Sequence, residues 1–317
     1  MSDHIGRIDE AEDHDVVVRE RRHLLNVAYR LLGSFSEAED AVQETYFRWY
    51  ALTPEQQREI DSPGAWLTTV ASRVCLDQLK SARVQRERYV GEWIPEPLPS
   101  ARAAAARRGP GDVDPADRVT LDESVNMAML VVLEAMTPAE RVTFILHDVF
   151  RYPFADIGEI VGRSPEAFRQ LAASARRRVD RDSALRAPSA EQARLVAEFK
   201  RAWEAQDVRA MVDLLDQDAT VVADSGGLVN AARRPIVGGA RIARYLANLA
   251  DKGRDLGMEL VETTVNGRPG LAGSIGDETV VVLAVGVEGQ RIRNLWAVVN
   301  PEKLRLWNDP GEEAASR

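Results

Sequence analysis

Apolar positions repeat with helical spacing from about residue 17 to residue 81. Leu24, Leu25, Ala28, Leu31 and Leu32 form one stripe, and Gly33 stops it. A second stripe, Ala38, Ala41, Val42, Thr45, Tyr46 and Trp49, follows Ser36 and Glu39, which are spaced as a capping box. Ser62-Pro63 predicts the start of a third helix. One of its faces carries Leu67, Val70, Ala71 and Val74, and another carries Trp66, Thr69, Arg73 and Lys80. These helices define a first domain over 17–90. Residues 91–119 read as a linker, with Pro95, Pro97, Pro99, Pro110 and Pro115 and an Ala/Arg-rich stretch from Ala101 to Arg108.

Helical spacing returns over 120–186. Thr120 with Glu123, and Thr137-Pro138 with Glu140, are start signals for two helices. Phe154–Val161 is a short third helix. Gly162 turns the chain, and Ser164-Pro165 opens a fourth helix with Phe168, Leu171, Ala172, Ala175 and Val179 on its buried stripe. Ala187-Pro188-Ser189 marks a hinge. Over 190–307 the period changes: helices at Glu191–Gln206, Val208–Leu215 and about Ala240–Ala250 are joined by strand-like runs at Ala219–Ala223, Met258–Val265, Thr279–Val285 and Ile292–Val299. Helices followed by mostly consecutive strands predict an α+β domain with a curved antiparallel sheet. Residues 308–317 form a tail. The fold class is multidomain: two all-α domains, the second with a helix-turn-helix, and then the α+β domain.

Composition narrows the function classes. No apolar run approaches the roughly 18 residues that a membrane helix needs; Val280–Val285, for instance, has six. Cys75 is the only cysteine, so no intramolecular disulfide can form, and the four histidines are scattered without zinc spacing. The acidic start is the opposite of a basic signal-peptide region, and the expected compartment is the cytoplasm. The net charge of −9 argues against a polyanionic partner only until it is divided: residues 66–108 and 163–186 each carry +4 within acidic surroundings. Local patches set the footprint on a nucleic acid.

Three features carry candidate chemistry. Phe154–Val161 and the helix from Ser164, joined by a tight turn, have helix-turn-helix spacing. The second helix presents Arg169, Gln170, Ser174, Arg176 and Arg177, types that read base edges or neutralise phosphates. The alternative is an ordinary helical hairpin with a solvated charged face. Glu37, Asp40, Gln43, Glu44 and Phe47 share one face of the second helix, either as a solvated acidic row or as a dock for a basic partner helix. In Trp66–Arg88, aromatic and hydroxyl groups alternate with cations, as single-stranded nucleic acid requires; a core tryptophan under a basic surface gives the same pattern. Trp93-Ile94-Pro95-Glu96-Pro97 is an extended piece that serves as a spacer or as a docking motif.

Together these segments resemble the extracytoplasmic-function sigma factors of the sigma-70 family. Ser36–Thr45 resembles the core-polymerase-binding helix of region two, and Pro63–Arg73 resembles the promoter-melting helix after it. Residues 137–178 resemble region four, and no region three intervenes. Residues 190–307 resemble a SnoaL-like domain of the NTF2-like superfamily, a helix-lined cone of curved sheet. Sigma factors with this extension carry three motifs, which here read Trp93-Ile94-Pro95-Glu96-Pro97, Asp224-Ser225-Gly226-Gly227-Leu228 and Asn300-Pro301-Glu302-Lys303-Leu304. Leu228 stands where the family has lysine. The resemblance implies promoter DNA and core RNA polymerase (its beta-prime coiled coil and beta flap) as partners, and no cofactor. It places promoter contacts at Trp66, Thr69, Arg73, Lys80, Ser164, Arg169, Gln170, Ser174, Arg176 and Arg177. It places regulation in cis at Trp93, Pro95, Glu96, Pro97, Asp224, Gly226, Gly227, Asn300, Pro301 and Lys303. A small ligand in the cone is left open. Two rivals stand beside this reading: a helix-turn-helix regulator fused to a ligand-binding domain, and a bifunctional enzyme using Asp218, Asp224 or Glu259.

Overall fold

The computed structural model describes residues 20–86, 89–99, 125–162, 165–181 and 189–308. Backbone contacts divide the chain into two compact units: residues 1–84, 105–124 and 133–179, and residues 85–104, 125–132 and 180–317. The expected helix start at Thr120 and Glu123, Ser164, the hinge at Ala187-Pro188 and most of the tail lie outside the described residues.

The first unit is helical. Helix α1 covers 20–32, and α2 (Phe35–Tyr50), α3 (Pro54–Arg58) and α4 (Pro63–Arg86) follow. After α5 (Met127–Glu134), most of which belongs to the second unit, come α6 (Pro138–Phe144), a π-helical turn (Ile145–Val149), α7 (Phe154–Val161) and α8 (Pro165–Arg181). The cap of α2 is Ser34, whose hydroxyl accepts from the Glu37 amide at 3.4 Å. The expected Ser36–Glu39 pair therefore lies within the helix. Gly33 ends α1 at φ 72°, and the extended Ser34 restarts a helix at once. Thr137 and Glu140 do form the reciprocal box expected of them. Val27, Ala28, Leu31, Leu67, Ala71, Val142, Ile145 and Phe168 belong to the buried apolar set.

Polar contacts tie the segments of this unit together. The buried Arg141 guanidinium donates to the Leu31 carbonyl, an open group at the end of α1, at 2.9 Å and pairs with Glu134 at 2.6 Å. His23 Nε2 lies 3.2 Å from the Tyr152 hydroxyl, which donates to Thr68 Oγ1 at 3.1 Å. The Phe150 ring meets the imidazole edge-on at 5.2 Å. Burial, and then the charge of Arg30, push the His23 pKa down to about 4. Between about pH 4 and 6.5 the unfolded chain thus binds more protons than the folded one. The part of the stability linked to His23 is complete above pH 6.5 and is lost as the pH drops towards 4, by at most about 3 kcal/mol. Denaturant unfolding from pH 4.5 to 7.5 should show this slope, and His23→Phe should flatten it; an unchanged slope would refute the assignment to His23.

The second unit is an α+β domain. Helices α9 (Ser189–Glu204) and α10 (Val208–Leu214) precede β1 (Leu215–Asp224), β2 (Ile236–Val237) and α11 (Gly239–Asp255). A meander of β3 (Met258–Val265), β4 (Arg268–Ile275), β5 (Glu278–Glu288) and β6 (Arg291–Val298) follows, and α12 (Arg305–Asn308) is last among the described residues. The strands form one sheet in the order β2-β1-β6-β5-β4-β3. The pairing is antiparallel except for β1 with β6, which is parallel and corrects the wholly antiparallel expectation. The returning meander places β6 against β1 in that sense. Irregular register at Gly273/Ser274 and Gly286/Val287 bends the sheet. Leu195, Val196, Phe199 and Trp203 of α9 and Ile242 and Leu246 of α11 fill the core with Val221, Leu283 and Leu295.

Strand β4 was absent from the sequence expectation because Pro269, Gly270 and Gly273 break its signal. The glycine has a steric cause: a Cβ at Gly270 would stand 2.6 Å from the Leu283 carbonyl oxygen. Asn266-Gly267, at φ 50° and 76°, makes the two-residue turn between β3 and β4.

Candidate functional site

Helix α2 presents the acidic face foreseen in the sequence. Asp40, Gln43 and Glu44 are exposed, whereas Glu37 is half-buried in the first turn. Glu44 pairs with Arg48 at 3.0 Å. Phe47 is 73% exposed and Tyr50 55%. Two large rings held in water beside an acidic row are a recognised mark of a protein interface, where buried aromatic anchors carry much of the affinity.

The basic candidates behave differently from one another. Trp66 is half-buried and meets Trp49 edge-on at 5.3 Å; Thr69 is also half-buried. Arg73 donates to the Glu159 carbonyl at 2.8 Å, an open group in the last turn of α7. Lys80 pairs with Asp77 at 3.0 Å. On α8, Arg169, Gln170 and Arg177 are exposed, and Arg169 stands 4.0 Å from Glu166. Arg176 pairs with Asp148, and Ser174 hydrogen-bonds Glu140. The exposed α8 side chains share a helix, while Trp66, Thr69, Arg73 and Lys80 belong to α4.

The third set converges on one buried carboxylate. Asp224, the last residue of β1, is fully buried. Its Oδ1 accepts from the Tyr89 hydroxyl at 2.6 Å and the Gly226 amide at 3.1 Å. Its Oδ2 accepts from the Ile94 amide at 2.9 Å and pairs with Lys303 Nζ at 2.7 Å. Lys303 also donates to the Ile94 carbonyl and lies 3.9 Å from the centre of the Trp93 ring. Asn300 donates to the Tyr89 hydroxyl at 3.0 Å. Burial, and then the bond to Asp224, hold the Tyr89 hydroxyl well above its ordinary pKa, so it remains a donor.

Both glycines of this motif have a role. Gly226 has φ 58°, and a Cβ there would stand 2.5 Å from Asn300 Nδ2; at Gly227, φ 76°, it would stand 2.9 Å from Val90. Pro95, Glu96 and Pro97 are buried with Ile94 and Leu98, while Pro301 is exposed on the turn that carries Lys303. The 93–97 piece is thus docked, not merely extended.

Three gripping residues were not foreseen. Tyr89 supplies the hydroxyl, and Trp307 Nε1 donates to the Pro97 carbonyl at 2.9 Å. Asn266 is the third. Its Oδ1 accepts from the Leu98 amide at 3.0 Å, its own amide donates to the Leu98 carbonyl at 2.9 Å, and its Nδ2 donates to the Val125 carbonyl at 3.1 Å. One fully buried asparagine thus holds both ends of the 99–124 segment. Its Asn-Gly pair signals a hairpin, but turn side chains ordinarily face water, so no sequence signal reveals this role.

The carboxylates weighed for catalysis are placed otherwise. Asp224 is committed to four donors, Asp218 lies 3.6 Å from Arg293, and Glu259 is exposed. No group of three or more metal-ligating side chains occurs among the described residues, and none of their helices is long and apolar enough to cross a membrane.

Comparison with known proteins assigns the two helical segments. Residues 16–84 match the family model for Sigma-70 region 2, and residues 126–179 match that for Sigma-70, region 4. The chain is 37% identical over 294 residues to the ECF RNA polymerase sigma factor SigJ of Mycobacterium tuberculosis, covering 90% of each chain. It is 34% identical over 218 residues to the ECF RNA polymerase sigma factor SigG of that species, covering 63% of this chain and 58% of the relative. The crystal structure of Mycobacterium tuberculosis SigJ superposes with a TM-score of 0.68 at 34% identity, over 90% of this chain and 96% of that one. Two sigma regions in order, followed by a helix-lined curved sheet, and a relative that matches along nearly the whole length lead to one assignment: this chain belongs to the ECF sigma factors of RNA polymerase, with an α+β domain on its C-terminal side.

Proposed function

We propose that this sigma factor acts in the cytoplasm and is regulated in cis by its NTF2-like domain, through the grip on residues 89–98. The observation that carries this reading is the convergence of Tyr89, Ile94 and Lys303 on the buried Asp224, in the segment between the two sigma regions. Asn266 also joins Leu98, within the linker, to Val125 beyond it. A sigma factor engages two promoter elements at once only if its linker permits the spacing, and a held linker sets the effective concentration of the second contact. Asp40, Gln43, Glu44 and Phe47 dock on the beta-prime coiled coil of core polymerase, with Glu37 at the edge of that face, and region four approaches the beta flap. Trp66, Thr69, Arg73 and Lys80 serve the downstream element; Ser164, Arg169, Gln170, Ser174, Arg176 and Arg177 serve the upstream one. The committed carboxylates favour a regulatory cone over a catalytic one.

The promoter assignment divides by chemistry. Arg169 and Gln170 are exposed towards the start of α8, where a recognition helix meets base edges, and Arg177 lies further along. Arg169→Ala should relax specificity at one base pair by about 1–3 kcal/mol. Arg177→Ala should weaken all promoters evenly and reduce the salt slope by about one. Binding of holoenzyme to a promoter library at several salt concentrations checks this; identical effects of both changes on every promoter would refute it.

A further inference from the structure

Strand β1 faces two ways at its end. Val221 and Ala223 line a cavity of about 420 Å³ inside the NTF2-like domain, and the next residue, Asp224, grips the linker. The same alternation recurs across the sheet, where Val299 lines the cavity and Asn300 holds Tyr89. It recurs again in the following turn, where Pro301 and Leu304 line the cavity and Lys303 holds Asp224. The wall of the cavity and the grip are therefore one stretch of chain.

The lining defines the guest. Its only charged residues are Lys252 and Glu278, and both are exposed at the rim. Inside, aliphatic residues and Tyr245 dominate. At the mouth, Val229 is 42% and Leu256 64% exposed, apolar surface left in water where a guest would enter. The volume lies within the range of small-molecule sites, roughly 300–1,000 Å³. The chain's own residues 309–317 hold two glutamates and no apolar side chain larger than alanine or proline, so they are poor candidates to fill it.

We infer that the cavity receives a neutral, apolar small molecule, and that such a molecule tightens the grip on the linker. This rests on the reading of the grip proposed above. Releasing Ile94 and Tyr89 requires Asp224, Asn300 and Lys303 to move, and their neighbours Ala223, Val299, Pro301 and Leu304 form the wall against which the guest packs. A guest that binds only the closed wall stabilises the closed grip, and a closed grip strengthens binding by the same factor.

The test uses the full chain and Nile red, a neutral apolar dye. Saturable one-to-one binding with a blue-shifted emission is expected. Leu249→Glu and Ala297→Phe, which charge and fill the cavity, should each weaken binding by at least about tenfold. Leu249 is only half-buried on α11, so its variant should fold normally. At ten times its dissociation constant, the dye should slow hydrogen exchange of the 93–98 segment by about tenfold. Absent or unsaturable binding, or binding indifferent to both variants, would overturn the inference. Binding that appears only after removal of 309–317 would assign the cavity to the tail and overturn it too. Saturable binding that leaves a protected linker unchanged overturns this inference alone. A linker that exchanges without dye as fast as in Asp224→Ala overturns the grip, and the inference with it.

Discussion

Reversing both charges on α2, as Asp40→Arg with Glu44→Arg, is expected to abolish assembly with core polymerase and leave the fold intact. Both side chains are exposed, and among the described residues the one ion pair lost is Glu44 with Arg48. A surface pair at i,i+4 spacing contributes about 0.3–0.5 kcal/mol, so unfolding should barely move. At an interface the same change sets like charges face to face, which costs several kcal/mol and reduces affinity by roughly a hundredfold or more. Phe47→Ala should also weaken assembly while leaving stability unchanged, because its ring is largely in water in the free chain. Affinity for core polymerase can be read by competition with a labelled sigma factor. An unchanged affinity in the double reversal would remove α2 from the interface.

The second large effect belongs to Asp224. Asp224→Ala leaves Lys303, the Tyr89 hydroxyl and the Ile94 amide without their common acceptor. Removing one partner of a buried ion pair costs about 3–5 kcal/mol, chiefly because the other charge stays buried without its counter-charge. Stability of the second unit should fall by that amount, and exchange at the Ile94 amide should accelerate. Adding Lys303→Met removes the cation that has lost its counter-charge and should recover part of the loss, so the two changes are strongly non-additive. Simple additivity in denaturant unfolding would show that the carboxylate and the ammonium do not act as one site.

What the chain reveals in advance follows from how locally each feature is encoded. Helix α7 is legible because Phe154–Val161 is bounded by Pro153 and Gly162, and Gly162 ends it in the left-handed conformation at φ 68°. The acidic face of α2 is legible because helical spacing alone places Asp40, Gln43 and Glu44 together. The cap of α2 was misplaced by two residues because Ser34 and Ser36 are both good caps, and only the position of Gly33 decides between them. Strand β4 was hidden because tight packing against β5 requires glycines that weaken strand propensity. The grip was half legible: Asp224, Asn300 and Lys303 stand in recognisable motifs, but Tyr89, Asn266 and Trp307 join it through distant backbone groups. The Leu98–Asn266 bond spans 168 positions, a separation that no local pattern records. Leu228, standing where the family has lysine, is 58% exposed, and the cation at the grip comes from Lys303.

The central claim is that a held linker sets how the two sigma regions share a promoter. Its most direct measurement is transcription by core polymerase with the full chain, from promoters whose two elements are moved apart one base pair at a time. The wild-type chain should show a sharp optimum of spacing, and Asp224→Ala should broaden it without changing affinity for core polymerase. The same spacing profile from both chains would contradict the account.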